Sequence, residues 1–130
     1  MSAELVVLCG LPGSGKSTWC REHLADTHVL VSKDLMGGSP SKEARQQREV
    51  RAALAANHPV VVDNTNLTRA SRADLLVIAR EFGLPCRAIV VRVPLTLALA
   101  RNAERTAGAH VPEGIVRQMA GRWDEPTIEE

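Results

Sequence analysis

This sequence predicts an α/β domain: a small parallel sheet of about four strands flanked by helices. Three observations carry that prediction. Four β-rich apolar runs alternate with stretches of helical periodicity, the order that builds a parallel sheet from strand–helix–strand units. The first run, Leu5-Val6-Val7-Leu8-Cys9, leads straight into a glycine-rich turn and then a helix. The 130 residues, 45% hydrophobic and 24% charged, suit one folded domain (1–130) that buries about two-thirds of its unfolded surface.

In chain order, Glu4 to Cys9 reads as the first strand and Lys16 to about Ala25 as the first helix. His28 to Ser32 is a second strand, and the polar turn Gly37-Gly38-Ser39-Pro40 leads to a helix over about Ser41 to Asn57. Ser41 stands where a side-chain cap belongs, with Ala44 in place of the Glu or Gln that completes a capping box. Pro59 to Asp63 is a third strand, nearly all valine, as suits a central strand buried on both faces. Leu75, Ile78, Ala79 and Phe82 mark a helix from Arg69 to Phe82, stopped by Gly83. Arg87 to Val93 is the fourth strand, and Thr96 to Arg105 and Glu113 to Arg122 are two last helices with the loop Thr106–Pro112 between them. The acidic end, 124–130, reads as a short frayed tail.

The turn Gly10-Leu11-Pro12-Gly13-Ser14-Gly15-Lys16-Ser17 matches G-x-x-x-x-G-K-[ST] at every fixed position, and Thr18 follows it. This is the P-loop, so the fold sharpens to a P-loop NTPase fold with a short lid loop. Its glycines let main-chain N–H groups converge on polyphosphate, and the helix N-terminus adds partial positive charge. Lys16 is placed to reach the β- and γ-phosphates of ATP or another nucleoside triphosphate, and Ser17 to hold Mg²⁺.

Three further stretches add chemistry. Asp34 follows the second strand, where strand ends surround the ligand crevice. There it is either a general base for an attacking hydroxyl or a cap for the next segment. Asp63, ending the valine strand, has the Walker-B placement for Mg²⁺, while Asn64, Thr65 and Asn66 either bond the Asp34 side chain or the acceptor, or are ordinary turn residues. Arg101 and Arg105 share a helical face just before the lid loop, placed to close over the β,γ-phosphates; a solvated face is the alternative. Arg45, Arg48 and Arg51 read as a solvated stripe, and Trp19 as a packing residue rather than a base-stacking one. No motif reads adenine; Arg117 and Arg122 are the candidates.

A net charge of +1 excludes a global basic field, so any nucleic acid must meet a local patch. Thirteen of the sixteen basic residues are arginine, which favours bidentate phosphate contacts only weakly. Cys9, Cys20 and Cys86 are odd in number and widely spaced, with no metal pattern, which predicts reduced thiols, no disulfide partner and a cytoplasmic location. No apolar run approaches the roughly 18 residues that span a membrane, so no membrane partner is expected.

Assembled, these residues resemble the 5′-hydroxyl polynucleotide kinase domain of bacteriophage and bacterial end-healing enzymes. The resemblance rests on Pro12 to Trp19, Asp34, the Asp-Asn-Thr-Asn-Leu run Asp63 to Leu67, Arg101-Asn102 with Arg105, and Val111-Pro112. It implies that Lys16 and Ser17 handle ATP and Mg²⁺, that Asp34 activates the 5′-hydroxyl of DNA or RNA, and that Arg105 contacts the donor phosphates. Where the family often carries an arginine three residues after that aspartate, this chain has Gly37. A small-molecule kinase of the same architecture, or a regulatory nucleotide-binding module, are the other functions compatible with these residues.

Overall fold

The computed structural model describes residues 3–38, 40–106 and 110–130. Valine- and leucine-rich runs form four strands, β1 (Leu5–Cys9), β2 (Val29–Val31), β3 (Val60–Asp63) and β4 (Cys86–Val90), because branched side chains pack well on a pleated surface. Five helices connect and follow them: α1 (Lys16–His23), α2 (Lys42–Ala55), α3 (Arg69–Glu81), α4 (Leu95–Ala103) and α5 (Glu113–Gly121). A short 3-10 helix, Lys33–Met36, follows β2 where the sequence reads as loop. The strands pair in parallel in the order β2-β3-β1-β4.

Strand alternation divides the core between the two sheet faces. Leu5, Val7, Cys9, Val60 and Val62 meet Val50 and Leu54 of α2 and Leu75 and Ile78 of α3. Val6, Leu8 and Val61 meet Cys20 of α1 and Leu24 on the other face. Burial pushes the Cys9 thiol up to about 11, which makes it an inert packing group. Register places Leu8 opposite Asp63, so the P-loop and the third-strand aspartate leave the sheet at the same level. At the opposite end, Glu4 accepts a guanidinium fork from Arg87 (2.8 and 2.9 Å) and a bond from His28 (2.7 Å), tying β1 to its neighbours.

The structure corrects the sequence reading in several places. Ser41 caps nothing with its side chain. The capping box sits instead at α3, where Thr68 Oγ1 accepts from Ser71 N (3.0 Å) and Ser71 Oγ accepts from Thr68 N (3.1 Å). Most elements are a residue or two shorter than the periodicity implies; β4 runs from Cys86 to Val90, one residue early at its start and three short of Val93, and α4 ends at Ala103, two residues before Arg105. The tail 124–130 is docked rather than frayed: Asp124 N donates to Leu67 O (2.9 Å), and Asp124 Oδ2 accepts from Arg69 N (3.2 Å). Arg72 then forks onto the Glu130 carboxylate at 3.0 and 3.1 Å, with the two side chains only 3% and 6% exposed. A guanidinium–carboxylate fork is what allows two charges to be buried together, and the Arg72 guanidinium holds the Glu130 carboxyl below the usual range. No helix among the described residues is long and apolar enough to cross a membrane.

Candidate active site

The P-loop is held from three sides. Gly10 N donates to Thr65 O (3.0 Å), stitching the loop to the end of β3. Gly13 and Gly15 have φ of +82° and +92°, a conformation that favours glycine. Gly13 also has no room for a side chain, since a Cβ there would lie 2.3 Å from Ala98 O and 3.0 Å from Asn102 N. The loop therefore rests directly on the backbone of α4, and Pro12 and Ser14 are buried in the process. Among the described residues no side chain caps α1, which leaves the N–H groups of its first turn for a ligand.

On the P-loop side, Ser17 Oγ donates to Asp63 Oδ2 at 2.6 Å. Among the described residues the other Asp63 oxygen, Oδ1, is buried with no partner, as is Ser14 Oγ. The Lys16 amine is pulled below its ordinary value by burial, against the opposing pull of Asp63 and Asp34; Arg105 lowers it further. Lys16, Asp34 and Arg105 share one cleft, and Lys16 and Arg105 share another with Ser17, the hydrogen-bond partner of Asp63. Arg101, on the exposed side of α4, sends Nη1 to Ser14 O at 3.3 Å. Thr18 and Trp19 also line this cleft, which encloses 540 Å³; Trp19 stacks on His23 at a ring separation of 4.5 Å and packs beneath against the Val6–Leu8 face.

The side of the site around Asp34 is assembled differently. Ser32 Oγ accepts from Asp34 N (3.3 Å), so Ser32 rather than Asp34 caps the 3-10 helix. Among the described residues the Asp34 carboxylate accepts no hydrogen bond. Asn64 does not reach that carboxylate; its Oδ1 accepts from Lys33 N at 3.0 Å. Since a backbone N–H only donates, the Asn64 amide nitrogen must face Gln46, whose Oε1 accepts from it. Gln46, 2% exposed, thereby fixes the turn that carries Asp34. Asn66 is likewise structural: at φ +45° it donates to Leu8 O (2.7 Å), and its own carbonyl accepts from Arg72 Nη1 (2.9 Å). A second cleft, of 640 Å³, lies here between Asp34, Asn64 and Asp74, with Val111 and His110 across from them.

Lys16 and Arg105 line both clefts. Arg105 is brought to that junction by the end of α4 and by Asn102, which is 1% exposed and accepts from Val111 N (3.0 Å) while donating to Val111 O (2.5 Å). The expected lid loop includes 107–109, which lie outside the described residues. Sequence reasoning gave no role to Gln46, Lys33, Glu43 or Asp74, and met Asn102 only as part of the Arg101-Asn102 run that carries the resemblance. Gln46 did leave a signal: it stands four residues before Val50 and eight before Leu54, a polar residue on an apolar stripe. Arg45 and Arg51 pair with Glu49 (3.4 Å) and Glu81 (3.1 Å) on the surface, and neither Arg117 nor Arg122 lines either cleft.

A phosphate cradle at the head of a four-stranded 2-3-1-4 parallel sheet, facing a carboxylate across a shared lysine and arginine, defines the P-loop kinase fold. The chain belongs to the AAA domain family AAA_33, which matches residues 5–126. It is 31% identical over 94% of its length to the L-seryl-tRNA(Sec) kinase of Methanococcus maripaludis. It is 32% identical over 98% to the bifunctional polynucleotide phosphatase/kinase of Schizosaccharomyces pombe. The chain spans 53% and 31% of those two proteins. Among solved structures, a chain of the Pnkp1/Rnl/Hen1 RNA repair complex superposes with a TM-score of 0.78 at 26% identity, over 93% of this chain and 44% of that one.

Proposed function

We propose that residues 1–130 act as one kinase domain that moves the γ-phosphate of ATP to a hydroxyl, the 5′-OH end of DNA or RNA, in the cytoplasm. The observation that carries the reading is the pair of clefts meeting at Lys16 and Arg105, with the phosphate cradle on one side and Asp34 on the other. ATP lies with its phosphates against the P-loop amides and Lys16, and Arg101 and Arg105 flank them. Asp34 takes the proton of the attacking hydroxyl as its oxygen bonds to the γ-phosphorus, and the bond from that phosphorus to the β,γ-bridging oxygen breaks to release ADP. Lys16 and Arg105, belonging to both clefts, stay against the transferring group throughout and offset its developing charge.

Mg²⁺ fits the residues present. The Ser17 hydroxyl and the Asp63 carboxylate, with its unpartnered Oδ1, are hard oxygen donors of the kind that share this ion with nucleotide phosphates. Ser17 and Asp63 would hold it, and it would supply charge neutralisation at the phosphates. The nucleic-acid acceptor is supported by relatives whose names specify polynucleotide and tRNA substrates.

Labelled ATP offered with a 5′-OH oligonucleotide and a metabolite mixture tests the reading. Label on the oligonucleotide, lost when Mg²⁺ is chelated, is expected. Label on metabolites alone makes this a small-molecule kinase, and binding without transfer makes it a nucleotide-binding module.

A further inference from the structure

The reading above rests an anionic acceptor in a cleft that is not basic. A 5′-hydroxyl end carries a phosphodiester on the same sugar, and that phosphate needs a partner when it leaves water. The cations lining the acceptor cleft are Lys16, Lys33 and Arg105, together with the titratable His110. Lys16 and Arg105 belong equally to the donor cleft, where the transferring phosphate takes them. On the acceptor side alone, Lys33 faces three carboxylates, Asp34, Glu43 and Asp74. Without Lys33 this wall would repel a phosphodiester.

Lys33 is also poised to change partners. Its ammonium pairs with Glu43 of α2, with side-chain exposures of 37% and 50%. A pair this wet contributes about 0–1 kcal/mol, so replacing the carboxylate by a phosphate costs little. The pair is not needed to hold the 3-10 helix in place. Ser32 caps that helix, and Asn64, backed by buried Gln46, fixes the Lys33 N–H. Asp74 is engaged separately by Gln47 Nε2 at 3.3 Å. No side chain can supply the charge from Gly37, whose φ of +57° and ψ of −133° are glycine territory.

We infer that Lys33 is the acceptor-binding cation of this site: its ammonium leaves Glu43 to contact the phosphodiester next to the 5′-hydroxyl, and so selects phosphate-bearing acceptors over free nucleosides. This deepens the proposed function and depends on it.

The test compares KM for a 5′-OH oligonucleotide and for a free nucleoside in the wild type and in K33A, K33R and E43Q. In K33A the oligonucleotide KM rises about tenfold relative to the nucleoside KM, the loss of one charge-assisted contact. K33R restores most of it. E43Q, which frees the ammonium, lowers the oligonucleotide KM about two- to threefold. The dependence of oligonucleotide affinity on salt weakens in K33A by about one unit of slope. An unchanged KM ratio in K33A overturns this inference and leaves the proposed function standing. Wild-type protein that labels no oligonucleotide overturns the proposed function and the inference with it.

Discussion

The P-loop side of the site is made of one contiguous stretch, and the cleft around Asp34 of side chains from many separate elements. Between Gly10 and Ser17 the main chain sets the shape of the cradle, with Gly13 and Gly15 at positive φ and Gly13 pressed against the backbone of α4. Around Asp34 the surface is negotiated among a 3-10 helix, α2, the β3–α3 loop, α3 and the residues after α4. A contiguous, backbone-built site tolerates few sequences and has a motif. A site of scattered side chains tolerates many, and it is where substrates can be exchanged within one fold.

That contrast can be broken by substitution, and the largest effect belongs to the donor side. Gly13→Ala combines a left-handed backbone with a 2.3 Å approach to Ala98 O, so about 3–5 kcal/mol of stability should go, read by urea unfolding. Gly37→Ala, also at positive φ but with nothing within 4 Å among the described residues, should cost about 1–3 kcal/mol from backbone strain alone. Equal losses would mean that the two glycines serve the same purpose. Next, Arg105→Ala should lower kcat about 10³-fold or more, and Asp34→Asn about 10²- to 10⁴-fold with ATP affinity by calorimetry nearly unchanged. An Asp34→Asn protein with wild-type turnover would remove the acceptor-side base altogether.

Smaller again is Gln46→Ala, which touches neither substrate. Loosening the Asn64 link to Lys33 N should lower kcat about tenfold while ATP affinity holds, a split that general destabilisation does not produce. The least effect is a pH dependence at Lys16. Burial lowers its amine below the ordinary 10.5, so between its folded value and 10.5 the unfolded chain binds more protons and stability rises with pH. Polyphosphate favours the charged amine, so ATP affinity should fall several-fold across the same alkaline window, measured by titration calorimetry. Affinity that rises there would place Lys16 away from the phosphates.

The fold was legible because its signals are local. The valine run at Val60–Asp63, the apolar run before Gly10 and the stop at Gly83 each follow from their own neighbours, and the boundaries move by at most three residues, at the end of β4. The cradle was legible for the same reason. What escaped depends on distant partners. Nothing near Glu130 announces Arg72, 58 residues away, so a docked tail reads as a frayed one. Asn64 looks like a turn residue until Lys33 and Gln46 are brought to it from two other elements. The 3-10 helix is too short to show a period, and the Thr68–Ser71 box uses serine where glutamate is the usual sign.

Asn102 has one further consequence. By accepting from and donating to Val111, it ties the chain on either side of residues 103–110 into a closed ring. The entropy of closing that ring is lost during folding, not during each catalytic cycle. Doubling the length of such a ring adds only about 0.6 kcal/mol, so residues can be inserted between Thr106 and His110 without moving Arg105 from the junction of the clefts. Evolution or an engineer can therefore change the length of chain between Asn102 and Val111 while Arg105 keeps its post.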